Sequence, residues 1–158
     1  MTSLLEVDAL TIGFGDAPPV VSDVSFSVNA GETLAIVGES GSGKTLTCRT
    51  ALRILPEAAQ IRGGSITFAG EDGPIDLLRA SERQMRCIRG NRIAMIMQDP
   101  KFSLNPVMTV GRQIREAYLA HARVAGAEAK RRALETLTAV QIRDPERVYE
   151  CYPHEVSG

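Results

Sequence analysis

Residues 38–45 read Gly38-Glu39-Ser40-Gly41-Ser42-Gly43-Lys44-Thr45 and fit the pattern G-x-x-x-x-G-K-[ST]. Each residue type answers a demand made by a polyphosphate. Glycines allow a tight backbone turn, with positive φ where needed, so that successive N–H groups converge on phosphate oxygens. A helix beginning after the loop aims the positive end of its dipole at the same anion. Lys44 is expected to place its ammonium on the β- and γ-phosphates, and the Thr45 hydroxyl to ligate Mg²⁺. Four fixed positions match by chance in roughly one chain in two hundred of this length, so context must decide. Thr33-Leu34-Ala35-Ile36-Val37 predicts a buried strand before the loop. Leu46 to Leu55 predicts a helix after it, stopped by Pro56. Strand, glycine loop and helix together form the context the motif requires.

Outward from the loop, the preceding residues predict an antiparallel layer. Leu10, Ile12 and Phe14 share one face of a first strand, and Val24, Phe26 and Val28 alternate with serines in a second. A third strand is expected over Ile61 to Phe68, opened by Gly63-Gly64. Ser81 with Gln84 three residues on has the form of a capping box, and Gly90 marks a helix stop. Arg79, Arg83, Arg86, Arg89 and Arg92 recur at helical spacing and read as one basic face, solvated or docking a partner protein. Ile93 to Met97 predicts a second core strand, ending at Gln98-Asp99-Pro100. From Thr109 onward the periodicity is helical. One stripe comprises Val110, Ile114, Ala117 and Tyr118, a second Leu134, Leu137 and Val140, and Asp144-Pro145 opens a further helix. The fold class is therefore α/β, with a parallel core short of strands, as though cut from a larger domain.

Composition excludes several alternatives. In 158 residues, 18 basic against 19 acidic side chains leave a net charge of −1, which gives no electrostatic case for a nucleic-acid partner. No apolar run approaches the roughly 20 residues that cross a bilayer. The N-terminus carries Glu6 and Asp8 rather than a basic region, unlike a signal peptide. Cys48, Cys87 and Cys151 are odd in number and widely spaced, and read as reduced thiols.

Taken in order, these segments resemble an ATP-binding cassette (ABC) ATPase, and more closely the ATP-binding subunits of oligopeptide, dipeptide and nickel importers. The resemblance rests on GESGSGKT at 38–45, IAMIMQDPKFSLNP at 93–106, TVGRQIREA at 109–117 and YPHEVSG at 152–158. It implies one P-loop NTPase domain of the ABC type. Residues 1–32 and 61–78 would form the antiparallel layer, 33–56 and 91–100 the P-loop core, and 101–158 a helical subdomain reaching the start of the signature motif. It implies that Phe14 stacks on adenine and that Gly38 to Thr45 hold ATP with Mg²⁺. Gln98 would approach the metal and the attacking water, and Ser157 and Gly158 would begin the signature motif that contacts nucleotide on an opposite subunit. The implied partners are a second ATPase subunit, arranged head to tail, and transmembrane permease subunits, with the protein peripheral on the cytoplasmic face of the membrane. The implied activity is ATP hydrolysis coupled to uptake of peptides or nickel.

The second half of the signature motif, the aspartate and glutamate of the following strand and the switch histidine are expected beyond Gly158. His121 and His154 do not match that histidine. This chain by itself is therefore expected to bind Mg-ATP weakly with negligible turnover. Two other readings stand beside it: a complete small P-loop kinase or GTPase-like enzyme using Asp99, and a non-catalytic piece that binds a permease.

Overall fold

The computed structural model describes residues 3–71, 73–98 and 103–156. They form two compact units, Met1–Arg89 and Gly90–Gly158.

The first unit is built on a four-stranded antiparallel sheet in the order β2-β1-β3-β4, with β1 Ser3–Phe14, β2 Val21–Asn29, β3 Ala59–Gly70 and β4 Gly73–Asp76. The expected antiparallel layer is thus present. Its first strand alternates only in part because the register shifts between Val7 and Leu10, where Ala9 takes a φ of 48°. A bulge changes the phase of a strand by one residue. Val7 and Leu10 consequently face the same core, where Ile12, Val21, Ile66, Phe68, Leu77 and Met85 are also buried.

Helix α1, Lys44–Ala51, is shorter than the sequence predicts. Pro56 does not end it. The N–H of Ile54 returns to the Arg49 carbonyl and that of Arg53 to Thr50, with Arg53 left-handed at φ 52°. This is a Schellman ending with arginine where glycine is usual, so no glycine announces it. The Arg53 guanidinium donates to the Ala80 carbonyl at 2.5 Å, which holds the ending in place. Helix α2, Glu82–Ile88, opens as read: Ser81 accepts from the Gln84 N–H, and the Gln84 side chain accepts from the Ser81 N–H. The five arginines do not make one solvated face. Arg89 turns inward to the Leu52 carbonyl at 2.6 Å and to Glu82 at 2.6 Å, and Arg79 lies outside the helix beside Asp76. The helix is too short to carry the stripe.

A larger correction concerns the core strands. Neither 33–37 nor 93–97 is a strand. A strand needs a ladder partner; among the described residues 33–37 has none, and 93–97 has only an isolated bridge at Ile93, whose carbonyl accepts from the Gly90 N–H at 2.9 Å. Apolar, β-branched composition favours extended backbone but cannot create the neighbour. Val37 is accordingly 91% exposed and Ile96 93%.

The second unit packs α3 Val110–His121, α4 Gly126–Ala139 and α5 Pro145–Glu150 around Ala133, Leu137, Val148 and Tyr149. The Asp144 side chain caps α5 and Pro145 opens it, as expected. Gly111 lies against the Tyr149 ring, so closely that a Cβ there would fall 2.2 Å from ring carbons. Val140 is 63% exposed rather than part of the stripe, because α4 ends at Ala139 and Gln141 turns left-handed at φ 61°.

The outer face of α4 carries a charge ladder. Glu128 binds Arg131 at 2.6 Å and Arg132 at 2.9 Å, and Arg131 also grips Glu135. Hydrogen bonds from Arg131 and then Arg132 lower the Glu128 pKa from 4.5 to about 2. The folded-state value lies below the unfolded one. The stability conferred is therefore complete above pH 4.5 and is lost as pH falls through about 2. Urea midpoints should decline between those two values and decline less steeply in Glu128→Gln; equal slopes would refute the assignment. The effect is small, because the pair is exposed to solvent.

Candidate functional site

The loop 38–45 is shaped by two left-handed glycines, Gly41 at φ 83° and Gly43 at φ 85°. Gly43 is also pressed against the sheet, where a Cβ would lie 2.6 Å from Val21 Cγ2 and 3.2 Å from the Val20 carbonyl oxygen. The β1–β2 connection thereby fixes where α1 begins. No side chain caps that helix and no acidic residue occupies its first turn, whereas α2, α3 and α5 are each capped by Ser81, Thr109 and Asp144. The positive end of α1 therefore has no side-chain acceptor, as is also the case for α4.

Lys44 curls back over the loop. Its Nζ donates to the Gly38 carbonyl at 2.8 Å, the Glu39 carbonyl at 2.6 Å and Ser42 Oγ at 3.2 Å. Three acceptors match the three donors of an ammonium. A Cβ on Gly38 would lie 2.9 Å from the same Ser42 Oγ, so any larger residue there would make the serine side chain turn away. Thr45 is exposed at the helix start, with its hydroxyl available for a cation.

Beside the loop is an open cavity of about 280 Å³, walled by Phe14, Val20, Gly41 to Leu46 and Arg49. Phe14 ends β1 and is half-buried. The structure thus brings the aromatic residue and the phosphate-loop residues to one cavity from positions far apart in sequence. Val20, Leu46 and Arg49 were not foreseen. Arg49 carried a legible signal, since it lies one helical turn beyond Thr45 on the same face. Its Nε is buried and has no hydrogen-bond partner among the described residues. Val20 carried no such signal, because a loop has no period. Gln98 belongs to the second unit and is exposed. Ser157 and Gly158 of the signature motif, and Asp99 of the kinase-like reading, lie outside the described residues.

The profile of the ABC transporter family matches residues 21–158, most of the chain and all of the loop. The chain belongs to the ABC transporter family. Among its relatives, a probable peptide ABC transporter ATP-binding protein of Sinorhizobium fredii is 57% identical over 136 residues, covering 85% of this chain and 39% of the relative. The oligopeptide transport ATP-binding protein of Bacillus subtilis is 43% identical over 162 residues, covering 100% of this chain and 44% of the relative. The chain therefore spans less than half the length of these family members. Its fold is shared with the solved structure of a dimeric bacterial ABC transporter cassette, at a TM-score of 0.78 and 22% identity, over 98% of this chain and 63% of the other.

Proposed function

We propose that residues 38–45 and Phe14 bind Mg-ATP, and that the whole protein is the ATP-hydrolysing subunit of an ABC importer. The observation that carries this reading is the joining of an aromatic wall and a lysine-centred phosphate loop in one cavity. Backbone N–H groups from Gly41 to Thr45 take the phosphates, Lys44 balances β/γ charge, Thr45 holds Mg²⁺ and Phe14 offers a π-face to adenine. The residues present fit such a ligand: the helix start is uncapped, acid-free and shaped by positive-φ glycines. Mg²⁺ would neutralise phosphate charge there.

In the whole protein, Gln98 approaches the metal and the attacking water. Ser157 and Gly158 reach nucleotide held by a second subunit, in a head-to-tail pair, and permease subunits hold the pair at the cytoplasmic face. Among the described residues no helix is long and apolar enough to cross a membrane, which suits a peripheral subunit. The cargo is peptide rather than nickel, in keeping with the peptide-transport names of the relatives.

Calorimetric titration tests the site. Mg-ATP and magnesium tripolyphosphate should both saturate it and compete, with Mg-ATP the tighter. Absence of binding by either would refute the proposal.

A further inference from the structure

Arg62 lies outside the cavity yet is tied to its aromatic wall. Between β1 and β3, Thr11 pairs with Gly63 and Ile12 with Ile61, so Arg62 is the unpaired extra residue of a β-bulge. Bulges redirect a side chain out of the ladder. Here the guanidinium crosses Gly13, lying where a Cβ on that glycine would come within 2.5 Å of Cζ. It then donates to the Ala17 carbonyl at 2.9 Å and the Gly15 carbonyl at 2.5 Å. Those carbonyls belong to the connection that starts after Phe14 and ends at Val20, both of which line the cavity. The connection is otherwise held by few bonds, chiefly Ala17 N–H to the Phe14 carbonyl and Val20 N–H to the Ile12 carbonyl.

We infer that Arg62 is a positioning residue for the base-binding wall. By fixing the Gly15 and Ala17 carbonyls, it sets the placement of Phe14 and Val20 without touching ligand. Three features converge on this role: the bulge that aims the side chain, the missing Cβ of Gly13 that gives it room, and two charge-assisted hydrogen bonds across the loop. The inference rests on the reading of the cavity as an adenine-nucleotide site. A phosphate-only ligand, held by the loop 38–45, should be indifferent to Arg62.

The test compares Mg-ATP with magnesium tripolyphosphate on the full chain. Arg62→Ala should weaken Mg-ATP by about five- to tenfold while tripolyphosphate stays within about 1.5-fold, as expected for lost charge-assisted bonds to a partly solvated loop. Arg62→Lys should recover most of the loss, since an ammonium can still reach carbonyls. Gly13→Ala, which leaves the charge but displaces the guanidinium, should copy Arg62→Ala. Equal weakening of both ligands in Arg62→Ala and Gly13→Ala would mark a general structural effect and overturn the proposal, as would unchanged Mg-ATP affinity in both variants. Lys44→Ala separates the two readings. If it weakens both ligands while Arg62→Ala leaves Mg-ATP unchanged, the nucleotide site stands and the role of Arg62 falls. If it weakens neither, the site itself is refuted.

Discussion

Lys44→Ala should lower Mg-ATP affinity by about 100-fold or more, on the scale of two hydrogen bonds from a charged donor to phosphate. Two losses combine. The ammonium that would balance β/γ charge is gone, and the carbonyls of Gly38 and Glu39 and the hydroxyl of Ser42 lose the donor they share. Loop geometry therefore suffers along with ligand charge balance. Lys44→Arg should not rescue, because a planar fork cannot place three donors on three converging oxygens as a compact ammonium does. Fluorescence titration with a labelled ATP analogue reads the change. An affinity within about threefold of the parent would show that Lys44 is not at the centre of the site.

The second large effect is on stability. Gly64→Ala should lower the melting midpoint by about 10–25 °C, corresponding to roughly 2–4 kcal/mol in a unit of this size. Gly64 has φ 91°, and a Cβ there would lie 2.6 Å from the Asp8 carbonyl oxygen, 2.6 Å from Leu10 Cα and 2.7 Å from the Ala9 carbonyl oxygen. Every neighbour is backbone of β1, so no side chain can swing aside. The strain of a positive φ costs about 1–3 kcal/mol and overpacking a similar amount. The β1–β3 ladder must open locally, next to the bulge at Ala9. Calorimetry decides it: a midpoint within about 2 °C of the parent would mean that the ladder absorbs the methyl group.

Legibility in the sequence followed the range of the interaction. The tight turn of residues 38–45 into α1 was readable because its glycines lie within a few adjacent residues. The caps of α2 and α5 were readable for the same reason, each needing only Ser81 with Gln84 or Asp144 with Pro145. The end of α1 was not, since Arg53 takes a left-handed conformation that sequence associates with glycine. Residues 33–37 and 93–97 looked like strands because composition reports extended preference, whereas a ladder also requires a neighbour. The alliance of Phe14 with the loop 38–45 came only from resemblance to a family, and the structure supplies its geometry. Arg62 was invisible, because a bulge is a property of two strands paired out of step.

The Lys44 side chain, gathered onto Gly38, Glu39 and Ser42, has a thermodynamic consequence. A free lysine has about 2 kcal/mol of rotamer entropy to surrender when it is fixed on a ligand. Here most of that freedom is already gone before any phosphate arrives. On the proposed reading, an incoming phosphate would exchange its own oxygens for those of Gly38, Glu39 and Ser42 around the ammonium. Binding at this loop should accordingly show a smaller unfavourable conformational entropy than a mobile lysine would impose.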